Sequence, residues 1–171
     1  FEFAGANFTA VQVIIVAVSS LTMGGLLFLV YRTKLGMAMR ATSQNPAVAS
    51  LMGVNINRVI AAAFIIGSAL GALAGIMVGT YYEIAHYQMG FMLGLKAFTA
   101  AVLGGIGNLA GAMIGGVLLG LIEALGAGYI GDLTGGFLGS HYQDIFAFLV
   151  LIVVLMFKPS GLFGEKTGDR A

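Results

Sequence analysis

Two ionisable side chains lie inside otherwise apolar stretches of this 171-residue chain: Lys96, within FMLGLKAFTAAVL, and Glu123, within GGVLLGLIEAL. A charge at the centre of a bilayer costs at least about 2.5–3.5 kcal/mol on insertion scales, so each should face protein or water. Lys96 is close enough to one end of its segment to snorkel outward. Glu123 is too deep for that; it could pair with Lys96, accept a hydroxyl hydrogen bond, or carry a proton. A lysine and a carboxylate beside a transport route would suit a zwitterion, which presents both charge signs. Thr99 and Asn108 are the other polar groups of this region, and they could either line such a route or hydrogen-bond between helices. Lys96, Thr99, Asn108 and Glu123 are therefore the candidate pathway residues.

Other chemistries find no support. The chain has no cysteine, which removes thiolate metal sites, disulfides and a cysteine nucleophile. His86 and His141 are far apart and make no metal-ligand spacing, and neither GxSxG nor HExxH occurs. No metal, no cofactor and no enzymatic activity are expected.

A second cluster is purely basic. Residues 31–58, YRTKLGMAMRATSQNPAVASLMGVNINR, hold Arg32, Lys34, Arg40 and Arg58 and no acid. A short basic loop between apolar stretches is expected on the cytoplasmic side of a membrane. Within it, Asn45 as N-cap, Pro46 at the first helical position and Gly53 past the end predict a short helix over residues 46–52. Ala47, Val48, Leu51 and Met52 fall on one face of that helix, with Ser50 opposite. The face would either dock on a partner or lie on the bilayer surface.

The elements around these residues follow from composition. Apolar residues make up 59% of the chain and charged ones 9%, with a mean hydropathy of +1.00. Soluble domains carry about 25% charged residues, so lipid must solvate most of this chain. Seven of the eight bases lie in the island or the C-terminal tail, whereas Glu2, Glu83, Asp132 and Asp144 lie in the opposite loops. That asymmetry puts residues 31–58 and the C-terminus inside and the other loops outside, and nothing in it favours a nucleic acid. Apolar spans are expected at residues 9–31 and 59–82, from about 109 to 130, and from 141 to Pro159, which stops the last helix. Ser140 with Gln143 reads as its capping box.

Residues 91–103 are too few to cross a bilayer alone and run into GGIGNLAG, so a broken or re-entrant helix is expected there. If the glycines end a half-helix, its free carbonyls and Asn108 could line the route. Gly67, Gly71, Gly75 and Gly79 form a four-residue stripe; Gly107, Gly111 and Gly115, and then Gly116 and Gly120, repeat the spacing, and both sets predict close helix approach. Tyr81, Tyr82, Tyr87, Tyr129 and Tyr142 read as an aromatic belt. The fold class is all-α: a polytopic transmembrane helical bundle with a broken helix and a short cytoplasmic coupling helix.

The segments RATSQNPAVASLMGVNINRVI, KAFTAAVLGGIGNLAGAMIGG, LIEAL and KPSGLFG, in that order, resemble the membrane permeases of bacterial ABC importers for branched-chain amino acids. The chain is more similar to the shorter of the two permease types. The resemblance implies a second permease subunit, a cytoplasmic ABC ATPase dimer and a periplasmic or lipid-anchored substrate-binding protein, all at the bacterial inner membrane. It also implies that the basic loop inserts its short helix into a cleft on the ATPase. The docking residues it points to are Ala47, Ala49, Leu51 and Gly53, with Arg40 and Asn45 at the approach. Family members have further N-terminal spans, so residues 1–171 are expected to be the C-terminal part of one permease domain. The competing reading is a secondary transporter or channel with Glu123 as an intramembrane carboxylate.

Overall fold

Capping side chains and helix breakers punctuate the apolar runs where the chain turns. The computed structural model describes residues 2–3, 6–7, 9–133, 135 and 142–164. Apart from a two-residue antiparallel ladder, Glu2–Phe3 (β1) on Ala6–Asn7 (β2), its regular elements are all helical. Among the described residues, three helical runs are long and apolar enough to cross a membrane: Ala10–Arg32, Ile56–Tyr82 and Leu109–Leu133. The chain divides into two units, residues 1–90 and 91–171.

In the first unit, α1 (Ala10–Arg32) and α4 (Ile56–Tyr82) are the long apolar helices. The basic segment between them contains more than the short helix its capping signals predict. An 11-residue helix, α2 (Lys34–Gln44), comes first. It starts where Thr33 caps it, its hydroxyl accepting from the Gly36 N–H at 3.2 Å. Gly36 lies against the last turn of α1, where a Cβ would meet the Val30 carbonyl carbon at 2.5 Å. Asn45 then ends α2, donating its N–H to the Ala41 carbonyl at 3.1 Å, and caps α3 (Pro46–Leu51). Met52 closes α3 as its C-cap, so the helix is one residue shorter than its expected span.

The glycine stripe of α4 differs from expectation. Gly67, Gly71, Gly75 and Gly79 have nothing within 4 Å of a would-be Cβ. Small residues permit close approach, but no described helix of the first unit makes it there.

In the second unit, α5 (Met89–Gly104) and α6 (Leu109–Leu125) form a hairpin around the break at residues 105–108. Here the glycines pack. A Cβ on Gly111 would lie 2.5 Å from the Gly104 carbonyl oxygen, and one on Gly115 would lie 2.8 Å from the Gly104 nitrogen. Gly107, four residues before Gly111, and Gly120, four residues after Gly116, have no described atom within 4 Å of a would-be Cβ. The helix continues through a π-helical turn, Gly126–Ile130, into α7 (Gly131–Leu133). Gly126 lies under Phe146 of α8 (Gln143–Phe157), its Cβ position 3.5 Å from the ring. The small core here joins Ala100, Leu119 and Ala147, one from each of α5, α6 and α8.

The last helix also departs from its expected length. It has 15 residues rather than 18, about 22 Å at 1.5 Å per residue, and ends at Phe157, two residues before Pro159. The predicted Ser140–Gln143 capping box lies outside the described residues.

Candidate functional site

Lys96 is the centre of the polar chemistry in the second unit. Its ammonium lies 3.2 Å from Glu123 Oε2 and 2.9 Å from Asp144 Oδ1. Three helices supply the three groups: α5 the lysine, α6 the glutamate, and the first turn of α8 the aspartate. The Glu123 contact also meets hydrogen-bond geometry, with Nζ donating. The Asp144 contact is an ion pair by distance rather than by hydrogen-bond geometry. Glu123 Oε1 is buried with no hydrogen-bond partner among the described residues.

The burial of these groups sets what they can do. The lysine, glutamate and aspartate side chains are 33%, 16% and 36% exposed. Glu123 is thus the most enclosed member, and although the Asp144 side chain is partly exposed, the Oδ1 that meets the lysine is buried as well. Two carboxylates share one ammonium, so the group carries a formal charge of −1. Such a group can bind a second cation or, by exchanging partners, release the lysine to an anion.

The pairing of Lys96 with Glu123 is one of the alternatives open from the sequence. The part played by Asp144 is not, because the sequence places it among the loop acids ahead of the last apolar run. An acid in the first turn of a helix suits the positive end of the helix dipole, which explains its position without a lysine partner. That self-sufficient explanation hides the contact.

The other two candidate pathway residues turn to local bonds. Thr99 is 1% exposed and donates its hydroxyl to the Leu95 carbonyl, one turn back in α5, at 2.9 Å. Asn108 caps α6, its Oδ1 accepting from the Gly111 N–H at 3.1 Å, while its Nδ2 donates to the Phe163 carbonyl at 3.0 Å. The half-helix carbonyls beside it are occupied as well. Leu103 O accepts from the Leu162 N–H at 2.8 Å and Gly104 O from the Phe163 N–H at 3.0 Å.

The basic segment of the first unit carries the other candidate site. Asn45 Oδ1 accepts from the Val48 N–H at 3.2 Å, as an N-cap should. Ala47, Val48, Leu51 and Met52 are exposed, Leu51 at 86%. Ala49 is 4% exposed and turns inward, so among the residues assigned to docking it has a packing position. Gly53 follows with φ of +86°, a left-handed conformation that favours glycine. Arg40 stands over the Tyr31 ring at 5.4 Å, a cation–π contact that holds the guanidinium near the α1–α2 turn.

Among the described residues, no three His, Cys, Asp or Glu side chains gather as a metal site.

The family model described as the permease component of the branched-chain amino acid transport system matches residues 1–155. The chain is 44% identical over 166 residues to the high-affinity branched-chain amino acid transport system permease protein BraD of Pseudomonas aeruginosa. That alignment covers 97% of this chain and 52% of the relative. It is 43% identical over 165 residues to the permease protein LivH of Escherichia coli, named for the same transport system, covering 96% of this chain and 51% of that one. A more distant similarity, 32% over 130 residues, is to the autoinducer 2 import system permease protein LsrC of Photorhabdus laumondii, covering 74% and 38% of the two chains. The chain spans about half the length of the first two relatives. No solved structure matches it.

Proposed function

The chain belongs to the branched-chain amino acid transport permease family, and from that premise we propose that it forms part of the translocation subunit of an ABC importer. The subunit moves branched-chain or related small amino acids into the cytoplasm. A separate ATPase dimer energises it, a second permease subunit completes the route, and a periplasmic or lipid-anchored binding protein delivers the cargo. It sits in the inner membrane with residues 31–58 and the C-terminus on the cytoplasmic side.

The observation that carries this reading is α3. It is a capped six-residue helix inside an acid-free basic segment, and it leaves Val48, Leu51 and Met52 exposed. No membrane span needs such a helix. A partner with an apolar cleft and an acidic rim would cover it, gaining roughly 25 cal/mol per Å² of apolar area removed from water. Rim charges such as Arg40 would steer the encounter. Lys96, Glu123 and Asp144 are the groups proposed to meet the zwitterionic ends of the cargo. With Glu123 Oε2 engaged by Lys96, support for the secondary-transporter reading weakens.

The full-length permease in proteoliposomes, with its ATPase and binding protein, should accumulate labelled leucine, isoleucine or valine only when ATP is supplied. Uptake driven by an ion gradient without the ATPase would overturn the proposal. A docking variant sharpens it. Leu51→Arg places a charge on the exposed face and touches nothing in the chain, so insertion and yield should hold while co-purification of the ATPase and ATP-driven uptake are lost. Ala49→Arg instead should lower yield, because its position has no room for a long side chain. If Leu51→Arg still co-purified with the ATPase and transported normally, α3 would not be the docking element.

A further inference from the structure

The two most distinctive sequence segments of the second unit, GGIGN at residues 104–108 and KPSGLFG at residues 158–164, meet in space. The final carbonyls of a helix have no partner within it and need donors from elsewhere. At the end of α5 those donors come from 59 residues downstream: Leu162 and Phe163 give their N–H groups to the Leu103 and Gly104 carbonyls at 2.8 and 3.0 Å. Asn108 bonds in both directions, capping α6 through Oδ1 and holding the Phe163 carbonyl through Nδ2.

The fit is backbone on backbone. A Cβ on Gly161 would fall 2.7 Å from the Gly105 Cα, and one on Gly105 would fall 2.5 Å from the Gly164 nitrogen. Both glycines also have positive φ, +82° and +110°. Pro159 ends α8, the Gly161 N–H closes a turn onto the Lys158 carbonyl at 3.0 Å, and the chain folds back over the break.

We propose that residues 158–164 are a clasp that locks the turn of the α5–α6 hairpin, at the membrane face where α8 re-emerges. The break is then a surface element of that face and not a lining of the route, because the Leu103 and Gly104 carbonyls that lead into it and the Asn108 side chain are already bonded. The end of α8 and the hairpin turn move as one piece during transport. Leu109–Leu133, 25 residues long and apolar enough to cross a membrane, carries the chain from this face to the opposite one. Which compartment the clasped face meets rests on the orientation proposed above; that Ile106 and Lys158 share a face does not.

These 171 residues hold no cysteine, so the test starts from a full-length permease in which any cysteine elsewhere is first changed to serine. Ile106, Leu133 and Lys158 are all exposed, and each would be changed singly to Cys in the full-length permease. A membrane-impermeant maleimide is then applied to right-side-out and inside-out vesicles. Ile106→Cys and Lys158→Cys should label in inside-out vesicles and Leu133→Cys in right-side-out ones. Labelling of Ile106→Cys together with Leu133→Cys, and opposite to Lys158→Cys, would overturn the clasp. Ile106→Cys and Lys158→Cys labelling together in right-side-out vesicles would uphold the clasp and overturn the orientation.

A second measurement tests the lock itself. Leu103→Cys, at a position 1% exposed, should be nearly unreactive, and its labelling should rise several-fold when Gly161→Val or Asn108→Asp is added. The aspartate keeps the acceptor that caps α6 and sets a carboxylate oxygen against the Phe163 carbonyl in place of the donor, so it serves where the glycine variant fails to fold. Unchanged reactivity in Asn108→Asp, with Ile106→Cys labelling on the same side as Leu133→Cys, would leave no clasp.

Discussion

Gly115→Leu is expected to remove nearly all folded, monodisperse protein, whereas Gly75→Leu should leave the yield of the isolated chain close to wild type. Both residues are mid-helix glycines in four-residue stripes, and in the sequence they look alike. Around Gly115 the neighbours of an added Cβ are backbone atoms: the Ala100 carbonyl, and the Gly104 nitrogen and Cα at 2.8 and 3.0 Å. Backbone cannot rotate aside as a side-chain tip can, so α5 and α6 would have to separate. Overpacking of a tight contact costs typically about 1–3 kcal/mol, and more where whole helices must move apart. Separation would also pull Ala100 and Leu119 out of the small core they share with Ala147.

Around Gly75 no described atom lies within 4 Å of an added Cβ, so leucine there meets no clash among the described residues. Gly75→Ala should even gain something like 0.5–1 kcal/mol from helix propensity, while Gly115→Ala should lose stability. Size-exclusion profiles in detergent and thermal melts of the four variants would decide. Equal loss at both positions would mean that the α4 stripe is packed too and that the α5–α6 contact is not special.

The contrast between the stripes also shows where sequence reading stops. Small residues at four-residue spacing state that a close approach is possible, not which helix makes it. Local signals did better, because their partners are only a few residues away. Asn45–Pro46 announced α3, and the glycines from 104 to 107 announced the break. The spans at residues 10–32 and 56–82 followed from apolar length.

The elements without a local sequence signal depend on distant or ambiguous partners. Helix α2 lies in a stretch read as a basic loop, where Arg40 and Lys34 suggested a solvated segment rather than an amphipathic turn. Two of the clasp's bonds are main chain to main chain between residues 59 apart, which print no side-chain pattern, and the third, from Asn108, is masked by that residue's local role as the α6 cap. Asp144 has a sufficient local reason for its place, so its lysine partner could not be inferred. At the candidate site, pairing of Lys96 with Glu123 was one legible option among several, and only packing of α5 on α6 selects it.

Lys96→Met should be the most damaging single change among the charged groups, and its effect separates two roles for them. Removing the ammonium leaves Glu123 and Asp144 facing each other with no counter-charge. Exposed ion pairs contribute about 0–1 kcal/mol, while breaking a buried one costs about 3–5 kcal/mol. With the lysine one-third exposed and Glu123 at 16%, a loss between those limits is expected, near 1–3 kcal/mol. Asp144→Asn should be far milder, since it leaves one ammonium with one carboxylate.

The triple variant Lys96→Met, Glu123→Gln, Asp144→Asn carries no unpaired charge and should recover most of the lost thermal stability. If the trio serves only to hold α5, α6 and α8 together, transport should recover with it. If these groups meet the charged ends of an amino acid in passage, uptake should remain at least tenfold down, equivalent to about 1.4 kcal/mol of lost stabilisation, while the protein melts like wild type. Full recovery of both stability and transport in the triple variant would remove Lys96 and Glu123 from the pathway.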